Sequence, residues 1–106
     1  MSDVLGPAAN EEQVKEQKAR SKRADKQAVA DLKAVMGSAE GRRFVWRQLE
    51  LAGCYRMSFA PGQPDVTAFN EGMRDRGNQL LGELLLHCPD LYAAMTTEHA
   101  ERERNG

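Results

Sequence analysis

From Glu11 to Met36 the chain carries neither glycine nor proline, and Ala, Glu, Gln, Lys and Arg dominate the stretch. Nothing there breaks a helix, and most of its side chains lose little freedom in one, so a single long helix is expected. Its two halves differ. In the second, Ala28, Val29, Leu32, Val35 and Met36 recur at helical spacing and form a stripe that must pack on something. In the first, only Val14, Ala19 and Ala24 interrupt polar residues, and Lys15, Lys18, Arg20, Lys22, Arg23 and Lys26 outnumber Glu16 and Asp25. That half reads as a basic arm, projecting or frayed.

Punctuation divides the remainder. Gly37 suits the end of the first helix, and the Ser38 hydroxyl suits the start of a second, about Ala39 to Ala52, with Glu40 near its positive end and Gly53 as a left-handed stop. Phe44, Val45, Leu49 and Ala52 share one face, and Arg42, Arg43 and Arg47 point elsewhere, toward solvent or a partner. Residues 53–65 hold Pro61 and Pro64 without a sustained period and read as a connector, with Tyr55 and Phe59 plugging the core. Asp65 is the expected cap of a third helix, about Val66 to His87, whose Phe69, Met73, Gly77, Leu80, Leu81 and Leu84 make the strongest apolar face. This helix reads as the centre of the bundle.

Gly72, Gly77 and Gly82 each cost about 1 kcal/mol in a helix relative to alanine, which suggests close approach of a neighbour or a bend. Pro89 suits the first turn of a fourth helix carrying Leu91, Tyr92 and Met95. No segment alternates long enough to make a sheet, and no internal repeat is present. The expected architecture is all-α: a disordered tail at 1–10, a basic helical arm at 11–27, a small four-helix domain at 28–100 and a disordered tail at 101–106.

Composition excludes several chemistries. Fifteen basic residues face sixteen acidic ones, so net charge gives no reason to expect a polyanionic partner. Cys54 and Cys88 are too few and too far apart for a disulfide framework or a zinc motif, and reduced thiols in a cytosolic compartment are expected. His87 and Cys88 are adjacent and point about 100° apart on a helix, which opposes a shared metal ion and favours a plain helix-terminal histidine. Neither cysteine has an evident base, no glycine-rich phosphate loop or Ser-His-Asp set is present, and Glu71 and Glu83 read as surface residues of the third helix. No enzyme, cofactor or metal is expected. No apolar run approaches the roughly 18–20 residues needed to span a bilayer, and the first residues lack the character of a secretory signal.

Two surfaces remain as candidates for binding. One is the arm, through Lys15, Lys18, Arg20, Lys22, Arg23 and Lys26, which could meet phosphates but has no aromatic residue to stack on bases. The other is Arg43, Trp46 and Arg47, since tryptophan and arginine are enriched at binding hot spots; the competing role for Trp46 is to cover an edge of the core.

The run Gly41-Arg-Arg-Phe-Val-Trp-Arg-Gln-Leu-Glu-Leu-Ala-Gly-Cys-Tyr-Arg-Met-Ser-Phe, followed by Thr67-Ala-Phe-Asn-Glu-Gly-Met-Arg and Leu91-Tyr-Ala-Ala-Met, carries a resemblance. Together these segments resemble a family of small tailed-bacteriophage proteins typified by one from a Bordetella phage, over about residues 31–95. The resemblance implies a helical protein encoded among virion-assembly genes of short-tailed phages, without an assigned enzymatic activity. It carries no catalytic residues across, and the arm lies outside it. The expected function is therefore that of a phage structural or virion-assembly-associated protein, found in the virion or host cytoplasm. It binds other virion proteins, with the arm as one contact. A phage nucleic-acid-binding protein using the arm with Arg42, Arg43 and Arg47 is the alternative, and homo-oligomerisation stays open.

Overall fold

The computed structural model describes residues 6–55 and 60–106 and contains four helices: α1 Gly6–Met36, α2 Ala39–Ala52, α3 Pro64–His87 and α4 Pro89–Asn105. No strand occurs among the described residues, and the all-α expectation holds. The chain divides into two units, Met1–Asp31 and Leu32–Gly106.

Within the second unit, local chemistry sets the helix ends. Ser38 is extended (φ −115°, ψ 152°) and its Oγ accepts a bond from the Gly41 amide at 3.0 Å, satisfying a donor of the first turn of α2. Gly53 closes α2 at φ 82°, a left-handed conformation that costs glycine little. The expected cap of α3 is corrected: α3 begins at Pro64, after Gln63, and Asp65 lies in its first turn. Proline there loses only an amide that had no intrahelical acceptor, and Asp65 still meets the positive end of the helix. Cys88 ends α3, its amide donating to the Leu84 carbonyl at 2.9 Å, and Pro89 opens α4.

Helices α2, α3 and α4 pack pairwise. Their core is Met36, Val45, Leu49, Leu84, Cys88 and Met95, with Leu32, Trp46, Cys54, Leu80, Leu81, Leu91 and Tyr92 partly buried against it. Only the last turn of α1, through Leu32 and Met36, shares this core, so the packed body is three whole helices plus that turn. Burying one such aliphatic side chain stabilises by about 1.5–3 kcal/mol.

Two glycines mark where backbones meet. A Cβ on Gly77 would collide with the Cys54 sulfur and with the Ala52 Cβ, 2.6 Å away, so glycine lets the end of α2 lie directly on α3. A Cβ on Gly41 would strike the Val35 carbonyl, where α2 starts beside the end of α1. Gly72 and Gly82 have open space around them, so the close approach expected of all three α3 glycines belongs to Gly77.

The apolar faces reach further than their cover. Phe69 is 67% exposed, and Met73 and Val66 beside it are exposed too. Because α2 ends against Gly77, the half of α3 before that residue lies past the end of α2, and the expected row from Phe69 to Leu84 is buried only in its later part. Phe44 is 53% exposed, and Tyr55 is exposed where a core plug was expected. Phe59 lies outside the described residues.

In the first unit, α1 starts at Gly6, earlier than the expected Glu11, because Pro7 is tolerated in a first turn and Ala8 and Ala9 favour helix. Every residue from Asn10 to Ala28 is exposed. At the other end of the chain, α4 continues to Asn105 where fraying was expected. Arg102 and Arg104 in its last turn face the negative end of the helix favourably.

Candidate functional site

The outer side of α2 carries the candidate site. Three consecutive residues there have different roles, because each step along a helix turns by about 100°. Arg42 turns inward: its Nε donates to Glu98 Oε1 at 2.6 Å and Oε2 at 3.2 Å, and its Nη1 donates to the Met36 carbonyl at 2.8 Å. Its side chain is 16% exposed. It therefore joins the end of α1, α2 and α4, satisfying a carbonyl left open at the end of α1. The reading of Arg42 as a partner-facing cation is corrected: its hydrogen bonds are used within the fold.

Arg43 is exposed, 3.9 Å from Glu40 across one turn. Phe44 is exposed beside it, and the Arg47 guanidinium lies 5.8 Å from the Phe44 ring centroid, within range of a cation–π contact. Trp46 stacks with Tyr55 (centroids 5.2 Å apart, planes at 17°) and with His99 of α4 (4.1 Å, 23°). The Tyr55 hydroxyl lies 3.4 Å from that of Tyr92, which ties this cluster again to α4. Loss of water around the Tyr55 phenol, with the Tyr92 hydroxyl beside it, pushes its pKa above the ordinary value. The Trp46 Nε1 is buried without a hydrogen-bond partner among the described residues. Trp46 thus packs on the core and also lines an open surface groove.

Around this cluster lies an open groove of about 480 Å³, lined by Glu40, Arg43, Phe44, Trp46, Arg47, Glu50, His99, Arg102 and Glu103. A neighbouring depression of about 460 Å³ is lined by Arg47, Glu50, Leu51 and Tyr55, so the two share Arg47 and Glu50. His99 Nε2 lies 3.6 Å from Glu103. Arg43, Arg47 and Arg102 stand against Glu40, Glu50 and Glu103, which makes the lining balanced in charge rather than basic. The structure therefore brings Arg43, Trp46 and Arg47 together and adds His99, Arg102 and Glu103 from α4. The six arm cations belong to the other unit, on the exposed part of α1.

Burial pushes the thiols of Cys54 and Cys88 above their ordinary range, opposed in part by Arg74 and by Lys33 respectively. Both are free thiols. A raised pKa keeps a thiol protonated and is the reverse of what activates a cysteine nucleophile. Among the described residues no His, Cys, Asp or Glu cluster could hold a metal ion, and no helix is long and apolar enough to cross a membrane.

Residues 32–97 match the family described as Bbp19-like phage protein. The chain belongs to that family. No curated protein and no solved structure matches it. The family segment starts at Leu32, where the second unit also starts, and it contains the whole of the buried core. Of the residues that carry the resemblance, Gly41 and Arg42 join α2 to the end of α1, Gly53 stops α2, and Trp46 and Tyr55 stack together. Ser58 and Phe59 lie outside the described residues.

Proposed function

We propose that this member of the Bbp19-like phage family is a non-enzymatic structural or virion-assembly-associated protein that binds another phage protein in the groove beside α2. The observation that carries the proposal is the groove itself. Its aromatic cluster of Trp46, Tyr55 and His99 is flanked by exposed Phe44 and Leu51 and bordered by equal numbers of guanidinium and carboxylate groups. Tryptophan, tyrosine and arginine are enriched at hot spots, the two aromatics because they offer large contact area with few rotatable bonds and arginine because its planar fork of donors fixes register. A balanced border suits a protein surface carrying both signs, whereas a polyphosphate would meet three carboxylates there. The protonated thiols, and the absence of a metal-ligand cluster among the described residues, support a protein that works by binding.

The test is particle composition. Arg43→Glu with Arg47→Glu changes two exposed side chains, so circular dichroism and melting should match wild type. Mass spectrometry of purified particles should find the wild-type chain in fixed stoichiometry and the double variant strongly depleted. A folded double variant that enters particles at the wild-type level overturns the assignment of the groove. Absence of the wild-type chain from particles overturns the virion role and leaves assembly, to be read from the yield of particles in a deletion phage. The stoichiometry also reports the symmetry of the assembly.

A further inference from the structure

The exposed part of α1 holds a second surface with different chemistry. At about 100° per residue, Lys15, Lys18, Lys22 and Lys26 fall within a sector of about 80° and span about 16 Å along the helix. Glu11 falls in the same sector one turn before Lys15, Asp25 lies at the edge of the row and Glu16 about 120° from its centre, so no acidic residue stands on this face between Lys15 and Lys22. Lys18, Lys22 and Lys26 follow one another at i, i+4 and i+8, the spacing at which like charges destabilise a helix. An arm that only needed to remain solvated and helical would interleave glutamates there. None of the six cations of the arm has an ion-pair partner among the described residues, and all six are exposed.

We propose that this row binds the phosphate backbone of duplex nucleic acid. Repulsion along Lys18, Lys22 and Lys26 is relieved when an anionic backbone lies against them. Phosphate neutralisation needs only cations, because the favourable term is release of condensed counterions. An acidic protein partner would need an apolar anchor as well, since exposed ion pairs alone give little affinity. The row has none, Ala19 and Ala24 being the apolar residues between its lysines. No aromatic side chain is present to stack on unpaired bases, so the contact reads charge and not sequence.

Fluorescence anisotropy of a labelled random-sequence duplex with the full chain tests this over a range of salt. The expected result is binding at low salt whose logarithm falls with log salt at a slope of about −3 to −4, as four phosphate contacts require. Lys18→Gln, Lys22→Gln and Lys26→Gln together should weaken binding at least tenfold and, without DNA, raise the helical signal. Arg43→Glu with Arg47→Glu should leave binding within about twofold, which separates this surface from the groove. No binding at low salt, a salt-independent affinity, or wild-type affinity in the lysine triple variant would each overturn the proposal. Polyglutamate competing as strongly as duplex at equal charge would also overturn it and move the row to an acidic protein partner.

Discussion

Leu49 and Val14 are both aliphatic residues on long helices of this chain, and they live under different rules. Leu49 is fully buried, in a unit where apolar side chains recur wherever a neighbouring helix covers them. Val14 is half exposed, in a stretch where the recurring feature is charge. Sequence in residues 32–106 is constrained by packing: Gly41 and Gly77 leave room for a neighbouring backbone, and Arg42 fills the hydrogen bonds at a junction. Sequence in the arm is free of those demands and even places lysines where they oppose helix formation. The two halves of α1 show that one secondary structure can meet two sets of constraints, packing in its last turn and exposed charge before it.

The largest effect that could break this contrast comes from the core. Leu49→Ala should cost about 2–5 kcal/mol, from lost burial plus the cavity left behind, measured as a lower denaturant midpoint at unchanged slope. Val14→Ala should change stability by less than about 0.5 kcal/mol. If the two losses are comparable, the arm is packed in solution and the division of constraints is wrong.

A smaller effect compares the same residue type in the two units. Arg42→Leu removes the donor to the Met36 carbonyl and leaves Glu98 half-buried without its guanidinium, for a loss of about 1–3 kcal/mol. Arg20→Leu removes an exposed, unpaired cation and should be close to neutral. Thermal melts of the two variants decide the point. Equal and small losses would mean that the Arg42 bonds contribute little in water.

How much of this was legible in the sequence follows from the range of the interaction involved. Both ends of α2 could be read because Ser38 and Gly53 act on amides and carbonyls within a few residues of themselves. Val45, Leu49 and Leu84 were readable as core because periodicity reports which side of a helix is apolar. It does not report how far the cover extends, so Phe69 and Met73 looked as buried as Leu84. The candidate patch was legible only in its α2 part. His99, Arg102 and Glu103 join it by packing of α4 against α2, and the sole hint was that His99 stands one turn beyond Met95 on the same face. The role of Arg42 was hidden for the same reason: its partner Glu98 is on another helix, and Arg42 and Arg43 are alike until the rotation between them is known.

The smallest expected change is the most informative about the arm. Removing residues 1–27 deletes a stretch that is exposed throughout from Asn10 on, while Leu32 and Met36 keep their places in the packed body. The remaining first helix, from Ala28, still ends on the Arg42 guanidinium, which holds its last turn. Melting should therefore shift by no more than the equivalent of about 0.5 kcal/mol, with far-ultraviolet helicity falling in proportion to the residues lost. The arm in turn depends on that anchored turn: helix nucleation is the costly step, and a free peptide must nucleate on its own against the repulsion of three lysines four residues apart. A peptide of residues 6–31 should thus be much less helical than the same residues in the whole chain, and a DNA duplex should restore much of the difference. A peptide as helical as the intact arm would show that the lysine row carries no helix penalty, and would remove the physical reason for assigning it a polyanion.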